Sequence, residues 1–259
     1  MQELVIDYTD CTTTGQSGDP YTRIPPDKIS ASFKTNNVSS SSLYLWRHNL
    51  TTQNLEYGVA QRNTPTCWLQ FTLPNDIGSP VYLYYRLTNF YQNHRRYVKS
   101  LDLDQLKGQF VSNDTIGGSA CNPLKLDPSG KAYYPCGLIA NSIFNDTIRS
   151  PTGVSTSGGQ GPEPYQMTSQ GIAWSSDLDL YQKTAYTNDQ VVPPPNWQLR
   201  YPNGYTSDNP IPDLHTYEEF AVWMRTAGLP TFSKLALRND NQVMRAGTYE
   251  MEIGDCKYR

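Results

Sequence analysis

A chain of 259 residues is long enough to bury a core of its own, in one large domain or two small ones. Charged residues make up 17% and hydrophobic residues 37%, with a formal net charge of -3, which excludes a disordered polyelectrolyte and leaves no basic excess for nucleic acid. No apolar run approaches the ~20 residues that cross a bilayer, and Met1-Gln2-Glu3-Leu4 lacks the basic and apolar regions of a secretory leader, so any sign of export has to lie elsewhere in the chain.

The 19 tyrosines, with many Pro, Gly, Asn, Ser and Thr, favour strands joined by long loops over long amphipathic helices. Leu4-Val5-Ile6 reads as a short strand. Residues 12–66 read as a long decorated insert loop, in which Leu43-Tyr44-Leu45-Trp46 adds an edge strand. Next, Trp68, Leu69, Phe71 and Leu73 precede a turn over 74–79. A second run follows, with Val81, Leu83, Tyr85 and Leu87 on one face and Tyr82, Tyr84 and Arg86 on the other. The two runs are expected to pair as an antiparallel hairpin.

Residues 153–164 are low in complexity and read as mobile, and Pro193-Pro194-Pro195 starts an extended connection. Neither marks a domain boundary. A helix is predicted from Thr216, where Thr216 and Glu219 have capping-box spacing. Phe220, Trp223, Met224 and Ala227 form its apolar stripe, and Gly228 and Pro230 end it. A last strand is predicted over 248–253. The fold class is therefore mostly β with short helices and long loops, in a single domain over 1–259.

Cys11, Cys67, Cys121, Cys136 and Cys256 form no C-x-x-C pair and no zinc-spaced cluster with His48, His94 or His215, which favours a disulfide framework over a metal. Four N-glycosylation sequons begin at Asn37, Asn49, Asn113 and Asn145. Sequons together with separated cysteines point to an exocytoplasmic compartment.

Catalytic motifs are missing: there is no nucleophile elbow, P-loop or dinucleotide fingerprint, and His215-Thr216-Tyr217-Glu218-Glu219 lacks the second histidine of a zinc helix. No cofactor is implied. Scattered carboxylates leave a glycosidase pair open, and the many Tyr, Trp and Asn leave a secreted carbohydrate-binding module open as the alternative. One stretch concentrates amides, aromatics and cations after a strand: residues 89–100, NFYQNHRRYVKS. It suits binding to phosphate, nucleic acid or an acidic protein loop, and equally a loop whose amides satisfy its own backbone.

That stretch resembles the hallmark of the flippase beta-subunit family, named for cell-division-cycle and ligand-effect-modulator proteins. Further blocks resemble the family in order: IDYTDC (6–11), PCGLIANSIFNDT (135–147), GIAW (171–174), PPNW (194–197), EFAVWMRTAGLPTFSKL (219–235) and AGTYEMEIG (246–254). The chain is thus identified as a member, resembling fungal ones in its long insert after Cys11. The resemblance implies the exocytoplasmic domain of a two-span membrane protein, with the membrane helices outside this chain. It also implies an antiparallel, sandwich-like core.

As for function, it implies a non-catalytic subunit bound one to one over the outer loops of a type IV P-type ATPase. Such a subunit supports exit from the endoplasmic reticulum and the lipid-translocation cycle, in the endoplasmic reticulum, Golgi, endosome or plasma membrane. It implies disulfides Cys11–Cys67 and Cys121–Cys136, worth roughly 4 and roughly 3 kcal/mol by loop closure, with Cys256 unpaired. Among the sequons Asn145 lies within a family block, and glycans are expected there and on some of Asn37, Asn49 and Asn113. Tyr91, Arg95, Arg96 and Lys99 are the expected partner-binding residues.

Overall fold

In a computed structural model of the chain, residues 2–18, 20–34, 44–54, 61–156 and 163–254 are described. Strands dominate and helices are short, as the composition predicts, and most strand pairing is antiparallel, as the resemblance implies. Asn37 and Cys256 lie outside the described residues.

The backbone of the fold is a seven-stranded sheet centred on Gln61–Leu73. Along one side this strand pairs with Tyr44–Asn54, from Asn54↔Gln61 to Tyr44↔Phe71; along the other it pairs with Gly247–Gly254, from Leu73↔Gly247 to Thr66↔Gly254. Thr152–Thr156 extends the sheet beyond Gly247–Gly254. Alternation along the central strand sends Cys67, Leu69, Phe71 and Leu73 inward.

Both edges of Gln61–Leu73 are occupied, and this overturns the expected hairpin. Val81–Leu87 cannot join a strand with no free edge and instead pairs with Phe232–Asn239 in a separate two-stranded sheet. The face assignment survives the change of partner: Val81, Tyr85 and Leu87 are buried, and Tyr82, Tyr84 and Arg86 are exposed. Segment 12–66 is also more regular than a loop. It carries Gln16–Ser17, Thr22–Arg23 and Ile29–Ser32, each paired with a strand well separated in sequence, and the eleven-residue Tyr44–Asn54, which pairs with Gln61–Leu73 directly after it. Likewise, residues 153–156 of the low-complexity stretch lie in a strand against Gly247–Gly254.

Disulfides Cys11–Cys67 and Cys121–Cys136 join positions 6.2 and 5.6 Å apart at Cα, with all four residues buried. The first lies in a small core with Ile24, Trp46, Leu69 and Ile253 beneath the sheet; the second lies in a larger one rich in aromatic rings. The larger core explains the tyrosine content. Tyr186 and Tyr205 bury their rings and donate their hydroxyl protons to the carbonyls of Val111 and Tyr134, both at 2.6 Å. Trp197 and Trp223 donate to the carbonyls of Ala140 (2.9 Å) and Ile139 (2.8 Å). Each ring supplies apolar area and a donor for a backbone carbonyl.

The predicted helix forms as Glu218–Met224, with Phe220, Trp223 and Met224 buried. Its capping box does not form. Thr216 Oγ1 donates to the Asp213 carbonyl, Tyr217 is the N-cap residue without a side-chain cap bond, and the first-turn carboxylate of Glu218 is engaged elsewhere.

Candidate partner-binding surface

Residues 89–100 leave the end of Val81–Leu87 through Asn89, whose φ of 57° is a left-handed conformation that asparagine tolerates. Phe90 follows. Its N–H donates to the Pro230 carbonyl at 3.0 Å, and its ring packs edge-on against Tyr97, Trp223 and Phe232.

The amides then fasten the loop to residues 227–230. Gln92 is wholly buried, and its Oε1 accepts from the Ala227 N–H at 2.8 Å. Asn93 Nδ2 donates to the Gly228 carbonyl at 2.9 Å. His94 Nδ1 accepts from the Arg96 N–H and so caps the short helix Arg95–Val98. Tyr97 is buried and shares a 2.8 Å bond with the Ser142 hydroxyl. Ser100 Oγ donates to the Asn122 carbonyl at 2.7 Å and accepts from the Leu138 N–H at 2.9 Å. This close approach requires Gly137, with φ 97°, since a Cβ there would stand 2.0 Å from the Ser100 carbonyl oxygen.

The side chains of this stretch therefore divide into two groups. Gln92, Asn93, Tyr97 and Ser100 satisfy the scaffold. Tyr91 is 58% exposed, and Arg95, Arg96 and Lys99 are exposed with no acidic side chain in ion-pair range among the described residues.

A second group, not singled out by sequence reasoning, emerges beside them. Trp174 of the GIAW block is 64% exposed, and the Arg225 guanidinium lies 3.7 Å from its ring centroid while pairing with Asp177 at 3.2 Å. Leu229 is 70% exposed between the two residues that the 89–100 loop holds. The available signal was an apolar residue between Gly228 and Pro230, where a helix stop guarantees a surface turn.

The sequons are placed differently from one another. Asn49 is exposed on Tyr44–Asn54, with its Oδ1 accepting from the Leu50 N–H at 2.8 Å. Asn113 is exposed at the start of Asn113–Gly118, and its Oδ1 accepts from the Ala132 N–H at 3.1 Å. Asn145 is half-buried; its carbonyl accepts from Arg200 at 3.3 Å, and the neighbouring Asp146 carboxylate accepts from the Tyr8 hydroxyl at 2.7 Å.

Among the described residues no cluster of His, Cys, Asp and Glu suits a metal. A cavity lined by Tyr85, Phe144, Asp146, Arg200, Tyr217 and Glu219 brings two carboxylates together, but its volume of about 90 Å³ is well below that of ordinary ligand clefts, about 300 Å³ or more.

Residues 1–258 match the LEM3 (ligand-effect modulator 3) family / CDC50 family. The chain belongs to that family. Among curated LEM3/CDC50 relatives it is 44% identical to the phospholipid-transporting ATPase accessory subunit CDC50 of Chaetomium thermophilum, over 98% of this chain and 62% of the relative. It is 42% identical to the phospholipid-transporting ATPase accessory subunit CRF1 of Saccharomyces cerevisiae (98% and 60%), and 39% identical to the LEM3 accessory subunit of that organism (98% and 59%). The chain thus spans about 60% of the length of these LEM3/CDC50 relatives. No helix among the described residues is long and apolar enough to cross a membrane.

Proposed function

We propose that this domain is the exocytoplasmic part of a non-catalytic accessory subunit of a phospholipid-transporting P-type ATPase, bound one to one over the outer loops of the ATPase. In this role the subunit supports exit from the endoplasmic reticulum and the lipid-translocation cycle, while the ATPase handles nucleotide and lipid. It is tethered to the membrane in its full length and carries N-linked glycan at Asn145 and at some of Asn37, Asn49 and Asn113.

The observation that carries the reading is the division of labour in residues 89–100. The scaffold uses the amides and Tyr97, leaving Tyr91, Arg95, Arg96 and Lys99 facing outward. A guanidinium on a loop fastened at a strand end, with no acidic side chain in ion-pair range among the described residues, suits a carboxylate on another molecule. The test is co-immunoprecipitation of the full-length protein with co-expressed phospholipid-transporting ATPases, comparing wild type with Arg95→Glu/Arg96→Glu. The variant is expected to fold and to recover at least about tenfold less ATPase, because it repels an acidic loop as well as losing the attraction. Recovery of no ATPase by the wild type, or equal recovery by a folded variant, would overturn the docking reading. Glycosidase digestion and mass spectrometry of secreted material test Asn145.

A further inference from the structure

Two exposed aromatic and aliphatic side chains stand beside the cations of the 89–100 loop on a base that is unusually well fixed. Hydrogen bonds join the segments that form the surface. Phe90 N–H to the Pro230 carbonyl (3.0 Å), Ala227 N–H to Gln92 (2.8 Å) and Asn93 to the Gly228 carbonyl (2.9 Å) fasten 90–93 along 227–230. Tyr91 and Leu229 therefore emerge from neighbouring, hydrogen-bonded segments.

Two residues before Ala227, Arg225 connects the same surface to Trp174. Its guanidinium covers the indole at 3.7 Å and pairs with Asp177. Each end of that contact is clamped from below. The Glu218 carboxylate accepts from the Gly171 and Ala173 N–H groups, both at 2.9 Å, which fixes the turn that presents Trp174. Lys234 Nζ donates to the Val222 carbonyl at 2.8 Å and to the carbonyl of Arg225 itself, which fixes the helix end that presents the guanidinium.

Side chains presented from a backbone already fixed by hydrogen bonds leave less entropy to be lost on binding. Pre-organised aromatic and Arg side chains are the residue types that dominate binding energy at protein interfaces. The charge pattern indicates what they meet. Arg95 and Arg96 are exposed cations, whereas Asp177 is committed to Arg225 and Glu218 to two N–H groups, so the surface favours an acidic partner.

We propose that Trp174 and Leu229 are the apolar anchors of a protein docking surface that includes Tyr91, Arg95, Arg96 and Arg225, and that its occupant is an acidic partner loop presenting an apolar pocket between its carboxylates. This rests on the docking role proposed above and specifies its chemistry: the cations steer and orient, and the two anchors hold. A protein fits the site better than anionic lipid because the two anchors stand on separate segments, each fixed by hydrogen bonds, and call for an apolar pocket at a set place beside the carboxylates.

The test uses full-length protein co-expressed with an ATPase that co-purifies with the wild type, pulled down in neutral detergent where no bilayer is present. Trp174→Ala/Leu229→Ser should keep its melting temperature within a few degrees, because both side chains are exposed, and should recover about tenfold less ATPase or lower still. Leu229→Ser alone, at a position 70% exposed, should show the same direction. Unchanged recovery for the folded double variant, while Arg95→Glu/Arg96→Glu lowers recovery, would overturn the anchors and leave the cationic docking intact. A defect that appears only in nanodiscs containing phosphatidylserine would overturn the proposal in favour of a membrane contact.

Discussion

The sheet half and the aromatic half of this domain solve one problem, the satisfaction of buried backbone, in opposite ways. Around Gln61–Leu73, N–H and C=O groups pair strand to strand over long runs, eleven register pairs with Tyr44–Asn54 alone. Through 89–145 and 171–230 the strands and helices are mostly two to seven residues long, and side chains take over: Gln92, Tyr186, Trp197, Tyr205 and Trp223 each bond a main-chain group from within the core. A ladder tolerates side-chain change, since its bonds belong to the backbone. A core held by side-chain donors does not, because each ring removed leaves a cavity and takes a hydrogen bond from a backbone carbonyl. The proposed docking surface stands on the second kind.

The contrast can be broken most severely at Trp223. Replacing it by alanine removes a wholly buried indole and its 2.8 Å bond to the Ile139 carbonyl, which keeps only a 3.2 Å bond from the Ser142 hydroxyl, with an expected loss of about 5 kcal/mol in denaturant unfolding. Next is the sheet half's own staple: Cys11→Ser/Cys67→Ser should cost roughly 4 kcal/mol under non-reducing conditions and leave the wild type's advantage abolished by reductant. Gln92→Ala, which leaves the Ala227 N–H unpaired beneath Tyr91 and Leu229, should cost about 1–3 kcal/mol.

A smaller effect depends on pH. Burial holds the Lys234 ammonium down to about 8, from the ordinary 10.5. Above pH 8 the unfolded chain keeps a proton that the folded chain has released, so the wild type should gain stability relative to Lys234→Met as pH rises from 8 toward 9.5, by on the order of 1 kcal/mol in thermal melts. Beyond pH 10 the buried tyrosines act in the opposite sense. Burial raises Tyr201 and Tyr205, so the folded state keeps protons that the unfolded state loses, and stability falls. The smallest expected effect is on the stability of Arg95→Glu/Arg96→Glu, within about 0.5 kcal/mol of wild type, since neither side chain holds the scaffold.

Single elements were legible locally in both halves. Alternation marked Val81–Leu87, a last strand was expected over 248–253, and the apolar stripe of Phe220, Trp223 and Met224 marked the helix. Pairing was not legible, because which strand occupies the second edge of Gln61–Leu73 depends on Gly247–Gly254, more than half the chain away. The capping box misled because the N-cap is Tyr217, one residue later than Thr216, and the Thr216 hydroxyl bonds back to the Asp213 carbonyl. At the candidate surface, the composition of 89–100 drew attention to the loop but did not separate Gln92 and Tyr97, which build it, from Arg95 and Arg96, which leave it. Trp174 was visible only as part of a family block, since its exposure follows from a stack on Arg225 some fifty positions later.

The position of Gly247–Gly254 in the chain has a consequence for biosynthesis. Tyr44–Asn54 and Gln61–Leu73 emerge early and can zip together, but the second edge of Gln61–Leu73 waits for a strand that begins at Gly247. At a translation rate of about 5–20 residues per second, the nascent hairpin carries an open edge for roughly 10–35 seconds. An exposed edge of that length is a template for pairing with another chain. Closure of the sheet therefore reports that synthesis has reached the far end of the domain, and a chain interrupted before Gly247 remains recognisable to a chaperone by the unpaired backbone of its longest strand.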